Sequence, residues 1–361
     1  MGELQKPKKT ILILLGLVIV CLAYLVITKS NEFPPSESVN EYLNVHFIDV
    51  GQGDATLLKG PDFTILIDAG RHDRNDVVPY LYEQNVQEID LLIGTHPHAD
   101  HIGQFPQVLE NFSVNEVWMS GDTHTTRTFE KALDAILETD ANYQEPKAND
   151  EFIFGALEIK VIHPKVNRGN LNNGSIVFRA VYQDVTFLFT GDAEREAELE
   201  IVEREHELES DVLKIGHHGS RTSTSDMFLE KVSPKIAVYS AAKNNSYGHP
   251  HSETIDRLND FSVVVYGTDI SGSVVLSTDG ESFFIDQKQY DSRKASNSGN
   301  DCININIAGK TELTEIVNIG VSRAEQIIEL RPFSTLDELT MIGGIGANRL
   351  SDIHKEGKAC L

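Results

Sequence analysis

The sequence predicts a layered α/β protein with a small helical unit at its C-terminal end. Three observations carry that expectation. From about Leu43, short β-type runs (LNVHFIDVG, FTILIDAG, IDLLIGTH, VTFLFTGD, DVLKIGHHGS, KIAVYSAA and SVVVYGTD) alternate with amphipathic stretches that include Asp76–Gln84, Thr128–Thr139 and Glu194–Glu207. Such alternation builds sheets buried beneath helices. The runs end in polar residues, Asp49, Asp68, His96, Asp192 and His217, and in α/β folds the chemistry gathers at strand ends. Residues 302–361 read instead as two copies of helix, glycine turn and helix.

In chain order, residues 1–30 contain KPKKTILILLGLVIVCLAYLVITKS, without a charge from Ile11 to Thr28. That length is close to a hydrocarbon span. Lys6, Lys8 and Lys9 precede it, which places the following chain outside the cytoplasm. No small-x-small cleavage site follows, so an uncleaved anchor is expected. It is the only such stretch, and transport is not expected. Residues 31–42 are a polar, Pro-containing spacer, 43–287 the α/β body, 288–301 (KQYDSRKASNSGND) a linker and 302–361 the second domain.

The chain has 361 residues, 40% of them hydrophobic, with 55 acidic residues against 31 basic. The excess suits solubility and argues against holding polyanions through bulk charge. Cys21, Cys302 and Cys360 form no metal pattern and leave at most one pairing, Cys302 with Cys360.

The chemistry concentrates in LLIGTHPHADHIG, Leu91 to Gly103, where His96, His98, Asp100 and His101 crowd together. Packed imidazoles repel when protonated and lack acceptors when neutral. A divalent metal resolves both problems, because neutral imidazole and carboxylate are its natural ligands. Asp68 ends a neighbouring run, where its carboxylate can orient a ligand histidine. Asp192 in FLFTGDAE can bridge two cations. KIGHHGS supplies His217 and His218, SYGHPHS supplies His249 and His251, and the glycines of DVGQGD let Gln52 and Asp54 approach the same rim.

Together DVGQGD, HPHADHIG, LFTGD, KIGHHGS and YGHP resemble the metallo-β-lactamase fold, and more narrowly the hydrolase domain of ComEC-type competence proteins. The resemblance covers about residues 43–286. It implies a four-layer αβ/βα sandwich holding two divalent metal ions, with Zn²⁺ expected and Mn²⁺ the alternative. His96 and His98 would hold one ion, Asp100 and His101 the other. Asp192 would bridge, and His249, preferred over the His217–His218 pair, would complete the second site. His217 and His218, with Asp100, then become the catalytic candidates, able to bind or protonate a phosphate. Asp68, Gln52, Asp54 and Asn172 would stand behind the ligands. Many relatives carry a histidine where this chain reads NNGS, Asn172 to Ser175, so Asn172, His163 or water is left to complete the first site.

Residues 302–361 resemble a ComEA-type helix-hairpin-helix pair, a module of the small all-α class that binds duplex DNA. Its Gly-x-Gly turn would expose backbone N–H groups to phosphate. Gly344, Ile345, Gly346 and Ala347 preserve the turn, with Arg349 beside it, whereas NIGVS reads as degraded through loss of a second glycine. Asp301–Leu361 carries six basic and nine acidic residues, and Asn40–Tyr290 carries 19 basic and 42 acidic. The leading expectation is a membrane-anchored, extracytoplasmic two-metal phosphodiesterase or nuclease acting on DNA. The alternatives are a hydrolase of another cell-surface phosphodiester, of the teichoic-acid or choline-phosphate type, and a non-catalytic DNA receptor.

Overall fold

In the computed structural model the described residues are 42–285, without 166–169 and 205–206, and 303–360, without 307, 309, 332 and 334. The expected anchor and linker, with Cys21 and Cys302, lie outside them; Cys360 is disulfide-bonded. Among the described residues no helix is long and apolar enough to cross a membrane. These residues form two compact units.

The first unit begins with β1 (Leu43–Phe47), β2 (Thr56–Lys59), β3 (Thr64–Ile67), helix α1 (Val77–Glu83), β4 (Glu88–Gly94), α2 (Phe105–Asn111), β5 (Ser113–Met119), α3 (Arg127–Leu137) and β6 (Asn142–Gln144). The second half runs β7 (Glu151–Phe154), β8 (Leu157–His163), β9 (Val177–Tyr182), β10 (Val185–Phe189), α4 (Arg195–Arg204), β11 (Val212–Lys214), α5 (Asp226–Val232), β12 (Ile236–Tyr239), α6 (Ser252–Asp260), β13 (Val264–Gly267), α7 (Thr268–Ser271), β14 (Val274–Thr278) and β15 (Phe283–Ile285). One sheet has the order β15-β14-β1-β2-β3-β4-β5-β6 and the other β13-β12-β11-β10-β9-β8-β7.

Alternation along the central strands creates the layers. Val45, Ile65, Ile67, Leu91, Ile93 and Trp118 point between the sheets, where they meet the core of Leu157, Phe178, Phe187, Val212 and Val238. Their neighbours Leu66, Leu92 and Val117 point the other way, beneath Val77, Leu81, Phe105, Val108, Phe129 and Ile136 of α1, α2 and α3. Strands covered on both faces need apolar residues at every position, which is why these runs stand out in the sequence. On the far side α4, α5 and α6 bury Ile201, Phe228, Leu229 and Leu258. The result is helix, sheet, sheet, helix. Every run named above contains a strand; the longest strands outside those runs, β5, β8 and β9, interleave polar residues in SVNEVWM, LEIKVIH and VFRAVY.

Strand direction then positions the site. β3 and β4 are parallel, as are β10, β11 and β12, so the loops carrying Asp68, His96, Asp192 and His217 leave their sheets at corresponding ends.

The second unit packs α8 (Lys310–Leu313), α9 (Val321–Leu330), a 3₁₀ segment (Leu336–Met341) and α10 (Ala347–Glu356) around Leu313, Ile319, Ile327, Leu339, Ile345 and Ile353. It departs from all-α in one respect: β16 (Ile303–Asn304) pairs in parallel with β17 (Ala359–Cys360).

Leu91→Ala, which empties a fully buried inter-sheet position, is expected to cost about 2–5 kcal/mol in urea unfolding. Ile153→Ala, at a position 74% exposed, should cost less than about 0.5 kcal/mol. A second expectation concerns His46, whose Nδ1 lies 2.9 Å from the Tyr80 hydroxyl. Burial, helped by the charge of Lys59, lowers its pKa from 6.5 to about 4. Between those values the unfolded chain binds a proton that the folded chain refuses, so stability falls as pH drops through that window. His46→Gln should lose less stability than the natural chain between pH 7 and pH 4.5; equal losses would remove His46 as the cause.

Candidate metal centre

The strand-end loops converge on one carboxylate oxygen. Asp192 Oδ2 lies 3.3 Å from His101 Nε2, 3.7 Å from His96 Nε2, 3.7 Å from His218 Nε2 and 3.9 Å from His217 Nε2. Two groups of donor residues share Asp192: His96, His98 and Asp192 form one, Asp54, His101, Asp192 and His218 the other. That is the position a bridging carboxylate would take. His101 Nε2, His218 Nε2 and Asp192 Oδ1 are buried without a hydrogen-bond partner, a costly arrangement unless a cation satisfies them. Imidazole and carboxylate donors in two sets fit a pair of divalent cations.

The backing of these donors is specific. Asp68, in the left-handed region at φ 58, accepts from His101 Nδ1 at 2.8 Å and from the Thr95 N–H at 2.8 Å, so His101 presents Nε2 to the centre. The Thr95 hydroxyl also bonds Asp68 and stands 3.2 Å from His96 Nδ1. His96 Nε2 and His98 Nδ1 face each other at 2.9 Å. Burial, with help from the charge of His101, lowers the pKa of both His96 and His98. Although burial opposes it, Asp192 and Asp68 hold His101 well above the ordinary histidine value. Asp192 is held well below the usual carboxylate range against its own burial by His101 and His218. A proton on His101 thus balances the two carboxylates, and a divalent cation would take over that charge.

The geometry revises the second donor set. His218 belongs to it, and the expected His249 and Asp100 do not. Both His217 and His218 adopt left-handed backbone, φ 48 and φ 55. That turn puts His218 Nδ1 3.0 Å from the carbonyl of Ser240 and Nε2 3.4 Å from Asp100 Oδ2. His249 stands one ring further out, stacked on His218 at 6.0 Å, with Gln52 Nε2 3.4 Å from its Nδ1. Asp54, expected behind the ligands, lies within the donor distance, but both its oxygens are within 3.0 Å of Lys214 Nζ. Its charge is already matched there, and we place it behind the ligand shell. Asn172 begins a turn whose Ser175 hydroxyl accepts the Asp192 N–H, and its own Oδ1 is buried without a partner. His163 is outside both donor sets, with Nε2 2.7 Å from the carbonyl of Asn173.

Three residues not expected from the sequence also support the centre. Lys214 was signalled only by a lysine inside the apolar run DVLKIG. Glu194, in the quoted GDAE, lies with Oε1 3.0 Å from His217 Nδ1 and accepts from the Thr222 hydroxyl. His124, 5.8 Å from His98, had no motif. A cavity of about 350 Å³ opens over the centre, lined by His98, Asp100, His124, Asp192, His217, His218 and His249 among others. Tyr247 stands at its lip, 62% exposed.

In the second unit the two turns match. Gly320 (φ −92, ψ 176) caps α9 and Gly346 (φ −97, ψ −178) caps α10, neither with a side-chain cap. The residue missing from the first turn is the first glycine of the pair, not the second. Asn318 fills it at φ 64, as Gly344 does at φ +81, because Asn tolerates left-handed backbone. Arg323 donates to the carbonyl of Asn318 and Arg349 to that of Gly344. Ile345 is buried, so only its backbone can face a ligand.

This chain belongs to the metallo-beta-lactamase superfamily, whose model matches residues 48–243, and residues 299–356 match a helix-hairpin-helix motif. Within that class it is 31% identical over 250 residues to ComE operon protein 3 of Bacillus subtilis, covering 64% of this chain and 32% of that one. It is 28% identical over 272 residues to Recombination protein 2 of Haemophilus influenzae, covering 72% and 31%. Against Competence protein ComA of Neisseria gonorrhoeae it is 28% identical over 235 residues, covering 63% and 31%. These relatives bear out the ComEC-type resemblance, and the chain spans about a third of their length.

Loaded with Zn²⁺ or Mn²⁺ and dialysed, the natural chain should retain about two divalent cations, and Asp192→Ala most of neither. Metal analysis showing equal retention would remove Asp192 from the centre.

Proposed function

We propose that the chain is a two-metal phosphodiesterase that cleaves DNA outside the cytoplasm, held at the membrane by its N-terminal segment. The observation that carries this reading is the Asp192 carboxylate shared by two donor sets, beneath an open cavity. Bound there, two divalent cations would supply Lewis acidity and an acidified water. The chain's own residues do the rest. Asp192 keeps the two donor sets in register, and Asp68 fixes the tautomer of His101. Glu194 holds His217 at Nδ1, leaving Nε2 in the cavity to carry a proton to the leaving oxygen.

DNA is favoured over other diesters by the second unit and by the names of the relatives, which attach this hydrolase region to competence and recombination proteins. A Cβ added at Gly320 or Gly346 would meet nothing within 4 Å, and neither φ demands glycine. Packing within the unit therefore does not require these glycines, whereas close approach of a phosphate to the helix N-terminal N–H groups does. The acidic body, with 42 acidic and 19 basic residues between Asn40 and Tyr290, favours a second reading in which the substrate is a cell-surface phosphodiester.

The metal-loaded chain should hydrolyse both bis-p-nitrophenyl phosphate and DNA. Gly346→Asp should weaken duplex binding about tenfold or more, by replacing a phosphate contact with a like charge, while leaving hydrolysis of the small diester unchanged. Binding and cleavage of DNA that ignore Gly346→Asp would shift the case to the cell-surface substrate.

A further inference from the structure

Beyond the metal centre, we propose that a cationic cleft on α3 is a second phosphate-binding subsite. It would grip the nucleic-acid strand as it leaves the centre on the His98 side. This deepens the phosphodiesterase reading and rests on it. The cleft has a volume of about 230 Å³ and is lined by His72, Gly103, Gln107, Arg127, Thr128 and Lys131, with no carboxylate in its walls.

Two features separate it from ordinary acidic surface. The first is charge. Several cations elsewhere in the unit are matched, Arg71 with Asp73, Arg74 with Asp76, Arg221 with Glu253 and Lys235 with Asp211; what distinguishes the cleft is two unmatched cations lining one concavity. Arg127 and Lys131 are exposed, one helical turn apart on the same face of α3, and among the described residues neither has an ion-pair partner within 4 Å. In a body so rich in carboxylates, two unmatched cations converging on one concavity make a local well for anions.

The second feature is continuity with the centre. Ala99 and Asp100 line the metal cavity and Gly103, four residues on from Ala99, lines the cleft, so one short loop is the wall between them. That wall is closely packed: a Cβ at Gly103 would collide with the carbonyl of Ala99 and the N–H of His72. On the other side, His124 lines the metal cavity and its Nδ1 lies 3.1 Å from the Thr126 hydroxyl. Thr126 caps α3 by accepting the Phe129 N–H, and the helix then presents Arg127, Thr128 and Lys131 to the cleft. A diester held over Asp192 therefore has its continuing chain led past His124 toward the two cations. A small or terminal diester has nothing to place there, so the cleft selects a polymer of phosphates.

The test uses the full metal-loaded chain, the double variant Arg127→Glu/Lys131→Glu and, as a control, Lys231→Glu on α5. For a single-stranded oligodeoxynucleotide the double variant should raise KM about tenfold or more at low salt and flatten the dependence of log KM on log salt by about two. The kcat/KM for bis-p-nitrophenyl phosphate should not change, and Lys231→Glu should behave as the natural chain. The subsite is overturned if KM and salt slope for the oligonucleotide match the natural chain, if Lys231→Glu produces the same loss, or if the small diester suffers equally. Cleft-dependent cleavage of poly(glycerol phosphate) without cleavage of the oligonucleotide overturns the nucleic-acid assignment. Should the natural chain hydrolyse no diester, the phosphodiesterase reading fails, and calorimetric binding of inorganic polyphosphate decides the subsite: a loss in the double variant supports it and an unchanged affinity overturns it.

Discussion

One carboxylate oxygen, Asp192 Oδ2, is where the two halves of the sandwich meet. His96, His98 and His101 arrive on the loop after β4 of one sheet, Asp192 and His218 on loops after β10 and β11 of the other. The approach of His96, His101 and His218 to within 4 Å of that oxygen is possible only because both sheets direct their parallel strands to the same rim. A buried carboxylate ringed by imidazoles is unfavourable unless protons or metal ions balance it. The inter-sheet core of Ile93, Trp118, Phe178 and Phe189 opposes any relaxation that would separate the two donor sets.

Around that point the supporting residues are arranged by charge. Lys214 lies against Asp54 and Asp68 against His101, so each buried ion has an opposite within hydrogen-bond reach. Toward solvent the partners become neutral or half-exposed: Gln52 beside His249, Glu194 beside His217. The centre is therefore rigid at its base and accessible at its mouth.

The helical unit is built on a different principle. Its two turns repeat the same backbone at Asn318–Val321 and Gly344–Ala347, each with an arginine closing back on its own carbonyl. Six basic residues against nine acidic leave little bulk attraction for phosphate. Oriented backbone N–H groups, which need no side-chain charge, carry correspondingly more of the proposed contact with DNA.

Much of this was determined locally. Continuous apolar runs mark the strands covered on both faces, and the crowding of His96, His98, Asp100 and His101 points to a metal site from the sequence alone, because a divalent cation satisfies so many adjacent donors. Asp68 and Asp192 were legible for the same reason, as carboxylates at the ends of such runs. What adjacency cannot carry is the choice among ligands from distant segments. SYGHP and KIGHHGS offer equivalent imidazoles, and only the left-handed turn at His217 and His218 directs His218 inward and leaves His249 at the rim. Likewise Lys214 reads as an interruption of a strand until the second sheet brings it to Asp54, 160 residues away. Ligand type is a property of the residue; ligand membership is a distance between loops, which only the closed sandwich decides.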